Sequence, residues 1–350
     1  MSNPNLTIGL DLGDRKSVAC AIDAAGREVQ RVTIATTRAG LRAYLGDRPR
    51  CRVVVEAGTH SPWVSREVEG FGHEVVVANP SLVYGGRRRK KRNDHSDAEF
   101  WARQGRSDVK LLHPIQHRGV QAQEQLAVIR ARDQLVRART KLINHVRGSV
   151  KSLGGRIQRC SAEAFPRRAA SEIPGELRAA VEPLLSVVSD LSKRIHEMDG
   201  EIEAMAESYP EAVRLQQPKG VGALTALAYV LLVEDAERFT RSRDVGAYFG
   251  LVPRLDDSSD SSPQLRITKA GDELGRQLLV NAAHYILGPF GPDCDLRRHG
   301  ERIAARGGKN ARKRAAVAVA RKLAVLLHHL WRSGATYDPD WLKHRAASER

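Results

Sequence analysis

Zinc-type ligand spacing, disulfide frameworks and membrane-length apolar runs are all missing from this chain. Its four cysteines, Cys20, Cys51, Cys160 and Cys294, stand singly among 350 residues. No C-x-x-C pair or Cys/His spacing marks a zinc site, and no disulfide framework is implied. Single reduced thiols suit a reducing compartment, so a cytoplasmic location is expected. The N-terminus, Met-Ser-Asn-Pro-Asn-Leu-Thr, lacks the basic-then-apolar order of a secretory leader. The longest charge-free apolar stretch runs from Gly220 to Val233, too short to span a bilayer, and reads as a buried helix with no membrane partner.

Negative charge is also in short supply. Lys and Arg number 57 against 41 Asp and Glu, a formal net charge of +16. With 41% hydrophobic and 28% charged residues the chain is globular, long enough for two or three domains, and basic enough to point to a polyanion, nucleic acid first. The excess is uneven. Residues 1–83 carry a net +1, 84–114 carry +5, 115–159 carry +8, 160–260 reverse to −7, 261–295 carry −1, and 296–332 carry +10. Charge serving solubility alone would not cluster in this way, so two basic blocks flanking an acidic middle favour polyanion-binding surfaces.

Short β-branched and alternating runs dominate the first eighty residues. Leu6–Leu10, Ser17–Asp23 and Glu28–Ala35 read as strands, the last two joined by a hairpin turn at Ala25-Gly26. Thr37–Leu45 reads as a helix with Thr37 as N-cap, Arg52–Val55 as a buried strand, Ser61–Gly70 as a helix and His73–Ala78 as a strand. The order β-β-β-α-β-α-β, followed by a helix beginning near His95, predicts a mixed sheet with helices on its faces. Residues 118–153 follow as a long helix. Leu177, Val181, Leu184, Val188, Leu191, Ile195, Met198, Ile202 and Met205 repeat at 4,3 spacing, a coiled-coil pattern formed within the chain or between two chains. Gln217-Pro218-Lys219-Gly220-Val221-Gly222 opens an Ala/Leu-rich helix, either as an ordinary start or as a helix-hairpin-helix phosphate contact through Lys219 and the Gly amides. Residues 255–264 form a polar Ser/Asp loop, and 273–288 and 309–332 are helical.

Four carboxylates fall where chemistry is expected. Asp11 ends the first strand and Glu56 the fourth, and these two strands are neighbours in a ribonuclease-H-like sheet. Asp94 and Asp97 lie three apart at a helix start and share one side of it. Taken alone, Asp94 is an ordinary helix cap and Asp11 a turn residue. Together the four repel unless a hard cation neutralises them, and Mg²⁺, which takes carboxylate oxygens, is the natural one. The run Arg87, Arg88, Arg89, Lys90, Lys91, Arg92 stands just before Asp94. It reads as a solvated loop or, beside a phosphodiester site, as a backbone clamp.

At this point the motifs become familiar. Ile8-Gly9-Leu10-Asp11, Val55-Glu56-Ala57 and Lys91-Arg92-Asn93-Asp94-His95-Ser96-Asp97-Ala98 resemble the DEDD motifs of the IS110 transposase family, which includes the Piv DNA invertase. Pro218–Gly222, Phe249-Gly250-Leu251-Val252-Pro253 and Gln264–Asp272 resemble that family's second domain. The resemblance spans roughly residues 6–330. It implies an α/β plus α architecture: a RuvC-like mixed-sheet DEDD domain (1–110), long helices or coiled coil (115–208), a mostly helical transposase domain with a catalytic-serine loop (209–295) and a basic helical segment (296–350). It implies that Asp11, Glu56, Asp94 and Asp97 hold Mg²⁺, and that a serine in the polar loop attacks DNA to form a phosphoserine intermediate in a composite site built from both domains. Ser258 occupies the matching place. The family's following Gly is replaced here by Ser259, which leaves Ser259 and Ser261 as alternatives. It further implies homodimers assembling into homotetramers, with target and donor DNA chosen by a structured non-coding RNA, the bridge RNA.

Three other readings stand beside this one. A Holliday-junction-type RuvC-like nuclease would use the DEDD residues for hydrolysis without a serine. An ATP-binding protein of the actin and sugar-kinase class would use Ile8–Gly13 as a phosphate turn, but no Gly-x4-Gly-Lys-Ser/Thr or later nucleotide motif is present. An architectural RNA/DNA-binding protein would have no activity at all. The charge map carries its own test. Replacing Arg87–Arg92, or Arg312, Lys313 and Arg314, with Gln is expected to weaken nucleic-acid binding and flatten its dependence on salt by roughly 0.9 in log–log slope per lost phosphate contact. Anisotropy titrations across salt concentrations check this, and an unchanged slope would refute the mapping.

Overall fold

The computed structural model describes residues 5–83, 94–254, 265–342 and 344, with Asp94 and His95 described by their backbone alone. They divide into two compact units, Met1–Arg118 and Gly119–Arg350.

The first unit is built on strands β1 (Leu6–Asp11), β2 (Lys16–Asp23), β3 (Glu28–Ala35), β4 (Arg52–Glu56) and β5 (Glu74–Ala78). Helix α1 (Arg38–Leu45) lies between β3 and β4, α2 (Ser61–Gly70) between β4 and β5, and the short α3 (Pro80–Val83) and α4 (Asp94–Ser107) follow. The strand order is β3-β2-β1-β4-β5, so β1 and β4 are neighbours, as expected from reading the element order as a ribonuclease-H-like sheet. β1, β2 and β3 pair antiparallel, whereas β4 runs parallel to both β1 and β5. Local chemistry explains the connections. Asp23 accepts the amides of Ala25 and Arg27 at 2.8 and 2.9 Å, closing the β2–β3 turn. Thr37 accepts the Gly40 amide at 3.1 Å and caps α1.

Both faces of this sheet are apolar, so β4 reads as a continuous valine run rather than an alternation. Ile8, Leu10, Val53 and Val55 pack toward Leu41, Leu45, Val64 and Val68 of α1 and α2. On the opposite face Val18, Cys20 and Ile22 meet Ala98 and Ala102 of α4, and Val54 and Val76 meet Trp101. At Gly9 the helix touches the strand itself. A Cβ there would stand 2.0 Å from the Ala98 carbonyl oxygen and 2.4 Å from the Ala102 nitrogen.

The second unit is helical: α5 (Val120–Ser152), α6 (Phe165–Glu172), α7 (Arg178–Glu207), α8 (Pro210–Arg214), α9 (Ala223–Val233), α10 (Val245–Tyr248), α11 (Glu273–Leu287), α12 (Asp295–Ala305) and α13 (Ala311–Ser333). Residues Ala226 through Val233 of α9 are all buried, among α5, α7, α11 and α13, as expected of a helix apolar on every side. The long helices α5 and α7 pack on one another within the chain. Val146 and Val150 share a core with Val181, Leu185 and Val188, while Ala122 and Ile129 share one with Ile202 and Ala206. The two helices are therefore antiparallel. Of the 4,3 repeat, Val181, Val188, Ile195 and Ile202 are buried and Leu184, Leu191, Met198 and Met205 half-buried. Among the described residues no helix is long and apolar enough to cross a membrane.

Gly9→Ala is expected to destabilise the first unit by about 1–3 kcal/mol, the usual cost of overpacking, because the obstructing atoms are backbone and cannot rotate away. Denaturant unfolding with a fluorescence probe near Trp101 measures it.

Candidate active site

Sheet geometry brings two of the expected carboxylates together at one edge. Parallel pairing of β1 with β4 matches Ile8 to Val53, Gly9 to Val54 and Leu10 to Val55. Asp11 and Glu56 follow directly after that last matched pair, each the last residue of its strand. Alternation then decides their side. Gly9 abuts α4 and Val54 packs with Trp101 of α4, so Asp11 and Glu56, two residues further on, face α4 as well.

Helix α4 runs back along the sheet from that edge. Ala98 and Ala102 lie over Gly9, and Gly105 lies over Val54, its carbonyl accepting Arg52 Nη1 at 2.9 Å. The sheet-facing stripe is Ala98, Trp101, Ala102, Gly105. Asp97 precedes Trp101 by four residues, and the backbone position of Asp94 precedes Ala98 by four, so both belong to this stripe at the end nearest Asp11 and Glu56. Asp97 is 8% exposed. Asp11, Glu56 and Asp97 each interact with neighbours. Among the described residues no group of three or more His, Cys, Asp or Glu side chains is arranged to hold a metal. The donors at this edge are all carboxylate oxygens, a set suited to a hard divalent cation.

Sequence reasoning missed the polar loop that follows Glu56. The Ala57 amide still pairs with the Ala78 carbonyl at 2.9 Å. Beyond it, the buried Ser61 hydroxyl closes a turn on Gly58 and meets His117 Nε2 at 2.9 Å. His60 accepts the Trp63 indole N–H at 3.1 Å and lies 3.5 Å from Asp14, which follows β1. Burial, with Arg66 and Arg118 nearby, holds the His117 pKa below the ordinary histidine value. The available signal was the cluster Thr59-His60-Ser61 directly after a strand end; the partner His117 is too distant in sequence to be read from it.

The segments on either side of the polar loop 255–264 form an antiparallel stem. Arg254 donates its amide to the Arg266 carbonyl at 3.0 Å, Thr268 to Val252 at 2.9 Å and Lys269 to Gly250 at 3.1 Å, with Pro253 bridged to Ile267. Gly250 takes a φ of +65°, and a Cβ there would stand 2.1 Å from the Ala270 carbonyl oxygen. Arg276 of α11 ties both sides, donating to the Phe249 and Ala270 carbonyls at 3.2 and 3.1 Å. Ser258, Ser259 and Ser261 lie outside the described residues, as do Arg87, Arg88, Arg89, Lys90, Lys91 and Arg92.

The remaining basic candidates are described. Lys219 is exposed just before α9, whose N-cap is Gly222. Arg312, Lys313 and Arg314 are exposed in the first turn of α13. Arg314 donates to the Gly307 carbonyl at 2.8 Å. Much of the basic charge on α5 is engaged internally: Arg130 with Asp272 at 2.8 Å, Arg132 with Asp199 at 2.7 Å, Arg137 with Asp133 at 2.7 Å and Arg139 with Glu163 at 2.9 Å.

Comparison with known proteins yields two family matches. Residues 8–154 match the DEDD transposases of the IS110 type, and residues 212–292 match the model described as "Transposase IS116/IS110/IS902 family". The chain is similar to the transposase for insertion sequence element IS1111A of Coxiella burnetii, 29% identical over 94% of this chain and 90% of that protein. It is similar to a probable family 20 transposase of Pseudomonas aeruginosa, 28% identical over 95% and 98%. It also resembles the transposase for insertion sequence element IS1328 of Yersinia enterocolitica, 29% identical over 81% and 85%.

A pH dependence follows from His117. Its folded pKa is lowered, so the unfolded chain binds the extra proton first as pH falls. Stability of the first unit is therefore greatest above the ordinary histidine value and declines as pH drops below it. His117→Gln is expected to flatten that decline in pH-dependent unfolding curves; an unchanged profile would show that His117 does not contribute.

Proposed function

The chain belongs to the IS110 family of transposases, and on that premise we propose that it is a bridge-RNA-guided DNA recombinase acting through a Mg²⁺-dependent DEDD site and a serine nucleophile. Its being a DNA transposase follows from both family matches and from relatives similar along nearly the whole chain. The observation that carries the finer reading is that Asp11 and Glu56 end neighbouring parallel strands, directly after the matched pair Leu10 and Val55, on the side of the sheet covered by the helix that bears Asp97. A strand order of β3-β2-β1-β4-β5 supports a RuvC-like assignment of the first domain, and the packing of α5 on α7 supports a helical hairpin in the connecting segment.

In this reading Asp11, Glu56, Asp94 and Asp97 would hold the cation, which would supply charge stabilisation to the phosphodiester oxygens. The chain's own part is to orient and to attack. Gly9 lets α4 close on β1, which brings the helix that bears Asp97 over the sheet toward the ends of β1 and β4. Ser258 Oγ forms a bond to phosphorus as the DNA P–O bond breaks. The serine proton is lost, the displaced DNA oxygen leaves as a hydroxyl, and a phosphoserine ester remains. Attack by a second DNA hydroxyl then releases the serine and joins new strands. The exposed Lys219, Arg312, Lys313 and Arg314, together with Arg87–Arg92, hold RNA and DNA backbones, while base pairing with the guide chooses target and donor. Domains of 1–110, 115–208, 209–295 and 296–350, a homodimer assembling into a homotetramer, and work in the cytoplasm complete the proposal.

The test is to trap a covalent protein–DNA adduct with cognate RNA and DNA and map it by mass spectrometry. The expected adduct is on Ser258, and Ser258→Ala is expected to abolish it together with strand exchange. Asp11→Asn and Asp97→Asn are expected to lower strand exchange by at least about 100-fold, within the range for removing charge-stabilising groups. An adduct on Ser259 or Ser261 would reassign the nucleophile. Strand cleavage that survives all three alanine variants would establish hydrolysis without a serine step.

A further inference from the structure

One buried hydroxyl gathers the chain just beyond Glu56. Ser61 is 0% exposed. Its Oγ donates to the Gly58 carbonyl at 2.8 Å, accepts the Gly58 amide at 2.9 Å and lies 2.9 Å from His117 Nε2. A hydroxyl has one proton, and the carbonyl, which can only accept, takes it. The contact with His117 must then run the other way, from an Nε2–H to a lone pair of Oγ, which fixes the tautomer of the ring. A serine beside a histidine has the look of a nucleophile with its base. Here the complete burial of Ser61 and the reversed direction of the hydrogen bond make the pair a fastening instead.

What it fastens is the exit from β4. The Ala57 amide makes the last ladder bond, to the Ala78 carbonyl. Past that point the turn at Gly58 is held by Ser61. His117 is itself anchored to the sheet from the far side, because Ile115 donates its amide to the Val77 carbonyl at 2.9 Å on β5. Arg66 of α2 adds a bond to the Arg118 carbonyl at 3.2 Å. The turn that follows Glu56 is therefore pinned between α2 and the segment lying along β5.

We propose that His117 is a positioning residue for Glu56: acting through Ser61 it sets the Gly58 turn, and with it the direction of the Glu56 carboxylate and the affinity of the carboxylate edge for a divalent cation. The proposal rests on the reading that Asp11, Glu56, Asp94 and Asp97 hold such a cation.

The full-length chain is titrated with Mn²⁺ alone, which prefers the same oxygen donors as Mg²⁺, and free Mn²⁺ is followed by electron paramagnetic resonance at a pH where histidine is neutral. His117→Phe keeps a ring and removes the donor. It is expected to weaken binding by about tenfold or more, the usual effect of losing a group that orients a metal ligand. His117→Gln returns an N–H near the Nε2 position and is expected to recover most of the affinity. Ser61→Ala, a smaller change that removes the same fastening, is expected to match His117→Phe and serves if that variant fails to fold. A purely structural histidine would lower the unfolding temperature of its variants and leave Mn²⁺ affinity unmoved; that result overturns the proposal. If the unaltered chain takes up no Mn²⁺, or Asp11→Asn binds it equally well, the metal reading itself falls and the proposal with it.

Discussion

The direct contact between the backbone of α4 and the backbone of β1 at Gly9 is the constraint on which the first unit turns. Helices usually stand off a sheet by the depth of two side-chain layers. Here one layer is removed, so the Ala98 carbonyl and the Ala102 amide lie where a Cβ would be. Small residues on the helix, Ala98, Ala102 and Gly105, permit the same closeness along its length, while Trp101 fills the space beside it against Val54 and Val76. The result is a helix end held at a fixed height over the edge where β1 and β4 stop. Side chains carried at that end are positioned by packing as much as by their own charge.

The positions of the four acids, at two strand ends and on one helix, were legible in the residues. Strand-end acids are readable because a β-branched run such as Val53-Val54-Val55 announces a buried strand, and the residue that breaks it announces the edge. Asp94 and Asp97 are readable because helical spacing puts residues three apart on one side. The 4,3 repeat of Val181 to Ile202 was visible too, although the sequence left open whether the partner helix came from the same chain. The partner is α5, whose own apolar spacing is looser, with buried Leu126, Ile129, Val146 and Val150 separated by the half-buried Val136 and Ile143.

What was not legible depends on long-range pairing. Ser61 and His117 are separated by 56 positions in the chain, and nothing local in either segment names the other. Charge counted by segment had the same blind spot. The basic block 115–159 and the acidic block 160–260 are each strongly biased, but part of that opposition is internal: Arg132 and Arg139 of α5 answer Asp199 and Glu163 from the acidic stretch. Segmental net charge thus overstates the field that α5 offers to a polyanion, whereas in the first turn of α13 Arg312 and Lys313 are exposed with no ion pair among the described residues.

The hydrogen-bonded stem below the polar loop has an evolutionary side. Once Arg254 and Arg266, Val252 and Thr268, and Gly250 and Lys269 are paired, the ends of the loop are closed whatever joins them. Loop-closure entropy grows only with the logarithm of length. Insertions, deletions and substitutions between Arg254 and Leu265 thus cost the helical unit little. The stem and Arg276 hold the scaffold constant independently of what lies between them. The residues that close the stem and the residues that form the loop can therefore be altered separately.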